Sequence, residues 1–108
     1  MENCKESDWK LFRTKIIEWQ EAYMNKLNHK LTKLLADERL SAADRFWKAE
    51  KIINREKKSA GVIVQMSRSM FKLNLLQLLK TNAITLNDLS DFSPELQEEI
   101  KKIWINKN

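Results

Sequence analysis

Few side chains in this sequence stand where they can do covalent chemistry. His29 is the lone histidine and Cys4 the lone cysteine. A histidine works as a base or a metal ligand only with partners at hand, and no second histidine or nearby cysteine joins it. No nucleophile stands beside a base at a telling spacing. Carboxylates gather at Glu18 and Glu21, and at Glu95, Glu98 and Glu99. On helices such groups are ordinary solvated surface. We therefore expect no enzyme, no cofactor, no metal and no small-molecule substrate.

Two other groupings suit binding rather than catalysis. Lys48, Lys51, Arg55 and Lys58 fall within about a quarter turn of one helical wheel, with Trp47 beside them. A cationic stripe next to an indole is the pattern that contacts phosphates and stacks on bases. The plainer account is a solvated face whose lysine stems cover apolar surface. The second grouping is polar residues inside apolar stretches. Ser67 and Asn74 are seven apart, as are Arg13 and Gln20. Buried polar groups cost free energy unless paired. The expectation is that Arg13 or Gln20 bonds Ser67 or Asn74 across a helix interface, forming a buried polar network that fixes register.

These residues must be positioned by helices. One Gly and one Pro are too few for sheets joined by tight turns. Residues 7–35 carry Trp9, Phe12, Ile16, Trp19, Tyr23 and Leu27 at steps of three or four, followed by Leu31 and Leu34. Ser7 or Asp8 is placed to cap this helix. At 1.5 Å per residue it is roughly 40 Å long, more than the diameter of about 34 Å expected for a compact chain of this size. The fold is then elongated, or the helix kinks or projects. Ser41 caps a second helix over 41–58, with Asp44 as its capping-box partner. Gly61 ends a linker, and residues 62–80 read as a third helix with two apolar stripes, the centre of the bundle. Gln65, Arg68 and Lys72 fall on its solvent side. Thr85 with Asp88 marks a short helix over 85–90. Ser93, Pro94 and Glu95 mark the start of a last helix running to about Ile105.

The fold expected is all-α: a compact helical bundle of three long helices plus a short helix and a C-terminal helix. Residues 1–6 are expected to be a disordered N-terminus, 7–105 a single domain and 106–108 a tail. Net charge is +5, but residues 81–108 carry three basic and five acidic side chains against seventeen and ten before them. A recognition helix starting at Glu95 would repel phosphate, which argues against a helix-turn-helix at the C-terminal end. The lone cysteine suggests a reducing, cytoplasmic setting. MENCKESDWK has no apolar core of signal-peptide length, and no stretch is apolar enough to span a bilayer, so no membrane partner is expected.

Four tryptophans are a heavy aromatic load for 108 residues. Trp9 and Trp19 suit a core, whereas Trp47 and Trp104 suit a partly exposed, partner-binding surface. The segments SDWKLFRTKIIEWQEAYM, DRFWKAEKIINREKKSAGVIVQMSRSM and ITLNDLSDFSPEL resemble a family of short, all-helical bacterial proteins with no assigned activity. The likeness covers residue 7 to about residue 100 and implies a free-standing small helical protein. No functional residues carry over from it. The function expected is a non-enzymatic binding or regulatory protein working through protein–protein contacts, with a protein partner or a second copy. The runner-up is a nucleic-acid-associated protein using the basic face of the second helix.

Overall fold

The first helix, α1 (Glu6–Leu35), runs unbroken for thirty residues in the computed structural model, which describes residues 4–107. Its apolar residues keep the three-and-four spacing along the whole length, and no glycine or proline interrupts it. The turn after it is held by Asp37, which receives bonds from the Arg39 backbone and guanidinium. Helix α2 (Ala42–Glu56) then starts at Ser41, whose hydroxyl accepts the Asp44 N–H at 3.0 Å as expected. It returns antiparallel along the second half of α1 as a helical hairpin.

The third helix departs from expectation. Residues 63–66 are not helical, Arg68–Met70 form a 3-10 turn, and α3 occupies only Phe71–Lys80. Val62, Ile63 and Val64 are β-branched and lose rotamer freedom in a helix. Ser67 is extended, and the Asn74 amide donates to the Gln65 carbonyl at 2.8 Å, holding the non-helical segment against α3. Two long helices rather than three therefore precede the C-terminal part. Asn82 takes the left-handed conformation (φ 63°) just past α3, where a short polar residue tolerates it. The expected Thr85–Asp88 capping box closes a 3-10 turn at Leu86–Leu89. Helix α4 (Pro94–Lys107) begins where the sequence places it.

The hydrophobic core lies at one end of the molecule, with Ala49 the one buried apolar residue outside it among the described residues. Phe12, Phe71, Leu75, Leu78, Leu89 and Ile100 are fully enclosed where the first half of α1 meets α3, the second 3-10 turn and α4. Phe12 and Phe71 lie 4.7 Å apart between ring centres, with Trp9, Trp19 and Phe92 around them. Asp8 is buried and serves α4 rather than α1. Its carboxylate accepts the Ser93 N–H at 2.9 Å and the Ser93 hydroxyl at 2.6 Å, while Ser93 Oγ accepts the Leu96 N–H. Lys72, expected on the solvent side, is instead 6% exposed and paired with Glu99 at 2.9 Å. Arg68 does stay at the surface, over the Trp9 ring and bonded to Glu6.

The described residues are all-helical with no strand. The hairpin extends beyond the globular end, so the extents are 52 × 27 × 20 Å rather than those of a compact bundle. The expected disordered start covers residues 1–6. Residues 1–3 lie outside the described residues, but Cys4 packs against the core and Lys5 pairs with Glu95. Of the expected tail, 106 and 107 belong to α4 and Asn108 lies outside the described residues.

Candidate binding surface on the helical hairpin

A pair of helices covers only one side of each partner. Along the hairpin Ala49 is the single fully buried residue of α2, its small side chain letting the helices approach. The base of the hairpin is latched instead by polar contacts. The Tyr23 hydroxyl donates to Glu56 at 2.6 Å, and the Gln20 amide donates to the Ala60 carbonyl at 3.0 Å. The Tyr23 ring lies flat against Gly61, where any β-carbon would overlap it, and this contact explains the lone glycine of the chain. The tip is closed by Arg45, whose guanidinium donates to the Leu35 carbonyl at 2.9 Å.

The latch shifts both of its titratable groups. The bond from Tyr23 holds the Glu56 carboxyl below the usual glutamate range, against its own burial, and Arg55 adds to the effect. Burial, and then the Glu56 contact, push the Tyr23 phenol up.

What two helices cannot cover remains in solvent. Phe46, Trp47 and Ile53 are 61%, 60% and 51% exposed. Phe46 and Trp47 stack edge to face with ring centres 5.0 Å apart. An open groove between the helices is lined by Met24, Leu27, Leu31, Ile52, Ile53 and Val62, with Asn28, Glu56 and Lys57 at its polar edge. The apolar residues are those of a normal helix interface, but no third element lies over them.

Of the residues singled out in the sequence, Lys48, Lys51, Arg55 and Lys58 are all exposed, as a phosphate-contacting stripe requires. Arg55 is bonded to Glu56, whereas Lys48, Lys51 and Lys58 hold no ion pair among the described residues. Trp47 leans on Phe46 rather than on Lys51.

The expected polar network does not form. Gln20 bonds Ala60, Asn74 bonds Gln65, Ser67 meets Ser69 at 3.2 Å, and Arg13 is exposed. The seven-residue spacing of Ser67 and Asn74 has meaning only on a continuous helix, and the helix starts after Ser67. Gln20 and Asn74 each satisfy the backbone of an irregular segment.

The groove was not foreseen. Its signal lay in the sequence as Met24, Leu31 and Ile53, which exceed what one two-helix seam can bury. Among the described residues no three His, Cys, Asp or Glu side chains are grouped to hold a metal ion, and no helix is long and apolar enough to cross a membrane. No protein-family model, no curated protein and no solved structure matches this chain.

Proposed function

We propose that this is a non-enzymatic binding protein whose working surface is the helical hairpin, acting through protein–protein contact at the apolar groove. The observation that carries this reading is the uncovered apolar side of α2. Phe46, Trp47 and Ile53 stand in solvent, and Ile53 also lines the mainly apolar groove between the helices. Aromatic and aliphatic anchors of this kind dominate binding energy when a partner buries them. A helix laid in the groove would complete the layer that the chain leaves open. A reducing bacterial cytoplasm and kinship with short helical bacterial proteins belong to the same proposal, from the lone Cys4 and the segments quoted above.

The test is a photo-crosslinker, benzoylphenylalanine, placed at Phe46 in cells that express the protein. Discrete crosslinked protein bands, lost in an Ile53→Asp background, are expected. Their absence, with the variant folded, overturns the reading.

A second reading has its own observation. Lys48, Lys51 and Lys58 are exposed cations that hold no close ion pair among the described residues, Lys48 acting on Asp37 only at longer range, which suits nucleic-acid association. Crosslinked material that is destroyed by nuclease would favour it.

A further inference from the structure

The hairpin has two unlike sides, and the second is more extensive than the stripe on α2. At about 100° per residue, Lys26, Lys30 and Lys33 share an arc of about 60° on α1. All three are exposed. Met24 and Leu31, which floor the groove, point the other way on the same helix. On α2 the same holds: Lys48 and Arg55 lie about half a turn from Phe46 and Ile53. In an antiparallel pair the two lysine-bearing arcs fall on one side of the hairpin, opposite the groove. Lys30 and Arg55 both act on Glu56, which lies at the seam between the two helices. Residues 21–58 carry ten basic side chains against six acidic. Lys26, Lys30, Lys33, Lys48 and Lys51 hold no close ion pair among the described residues, Lys48 and Lys30 acting on Asp37 and Glu56 only at longer range.

We infer that this side is a sequence-independent site for the phosphate backbone of a nucleic-acid duplex, built from two rows: Lys26, Lys30 and Lys33 on α1, and Lys48, Lys51 and Arg55 on α2. The inference deepens the second reading above by adding a row that α2 alone does not supply.

Three arguments select this partner. The rows stand on helices whose axes are about 8–10 Å apart, and long stems splay their charges toward the roughly 12 Å width of a DNA major groove. Five of the six cations are lysines, which act as flexible point charges on phosphate but are depleted from protein interfaces. An anionic membrane is disfavoured because Phe46 and Ile53 are on the opposite side from the cations, which leaves Trp47 as the single exposed aromatic beside the α2 row among the described residues. The two sides are separate, so a duplex and a groove-bound protein need not compete.

The test is fluorescence anisotropy with a labelled 20-base-pair DNA duplex, titrated at several salt concentrations. Six phosphate contacts predict a log–log salt slope of about −5, and roughly a thousandfold loss of affinity between 50 and 200 mM salt. Reversing either row (Lys26→Glu with Lys30→Glu and Lys33→Glu, or Lys48→Glu with Lys51→Glu and Arg55→Glu) is expected to weaken binding more than tenfold. Circular dichroism checks that each variant folds. Where a reversal unfolds the chain, the matching alanine triple replaces it, with a slope shallower by about 3 expected.

If the α2 reversal abolishes binding and the α1 reversal changes nothing, the two-row site is overturned while the α2 stripe stands. If neither matters, both fall. Binding to phosphatidylserine vesicles or to polyglutamate, without binding to the duplex, also overturns the inference.

Discussion

Phe12 and Phe46 both sit on the apolar faces of amphipathic helices. Phe12 has no exposed surface; Phe46 is 61% exposed. The difference lies in what surrounds them. Around Phe12, α1, α3, α4 and the second 3-10 turn converge, so a ring is enclosed from every direction. Around Phe46 there are two helices and nothing else. One end of the molecule is therefore a closed core with its cations Lys5, Lys15 and Lys72 tied to carboxylates. The other is an open layer that leaves its apolar and cationic groups to solvent.

Mutations sharpen or break this contrast. Phe71→Ala removes the ring at the centre of the aromatic cluster and is expected to cost about 3–5 kcal/mol in urea unfolding. A loss under about 1 kcal/mol would show that the core is not where the fold is held. Gly61→Ala drives a methyl group into the Tyr23 ring and is expected to cost about 1–3 kcal/mol. In a Tyr23→Ala background that cost should vanish, which a double-mutant cycle reads directly. Ser93→Ala removes the cap of α4 and the hydroxyl bond to Asp8, while the backbone N–H bond to Asp8 remains, at about 1–2 kcal/mol.

Tyr23→Phe deletes the hydroxyl of the latch and is expected to cost about 0.5–1.5 kcal/mol, with amide exchange speeding up in α2 before α3. The latch also carries a pH dependence. Glu56 is held below its ordinary 4.5, so its contribution is full above that value and is lost as pH falls through the lower folded value. Tyr23 is raised above 10.0, so its contribution is full below that value and is lost as pH climbs through the raised one. Exchange in α2 should quicken at both extremes, and Glu56→Gln should remove the acid limb. The smallest effect is expected at Phe46→Ala, within about 0.5 kcal/mol of the parent. A larger loss would mean that Phe46 is enclosed in solution, as in a self-associated form.

The elements with local signals were legible in the sequence. Ser41, Thr85 and Ser93 followed by Pro94 mark starts because capping is decided within four residues. The long spacing pattern of α1 survives for the same reason. The apolar run 62–80 was not resolved, since a short apolar run reads alike as helix or as extended chain. Its start depends on the Asn74 bond to Gln65, a contact that exists only once the chain has turned. Asp8 looked like a cap for its own helix, but its partner Ser93 is 85 positions away, beyond any local pattern. Lys72 was misplaced by the same limit, its carboxylate lying on α4. The cationic stripe on α2 was visible as a spacing. Its counterpart on α1 was hidden because Lys26, Lys30 and Lys33 become its neighbours only through antiparallel pairing.

Helix α1 belongs to both ends without a break. Mechanically that makes the hairpin a cantilever, clamped where Phe12 meets Phe71 and free at Leu35. The free length from Gln20 onward is about 22 Å. It has no hinge, because bending it means stretching backbone bonds inside a helix rather than swivelling a loop. Whatever grips the tip is thus held at a set distance and angle from the globular end, and any load on it is transmitted into the aromatic cluster.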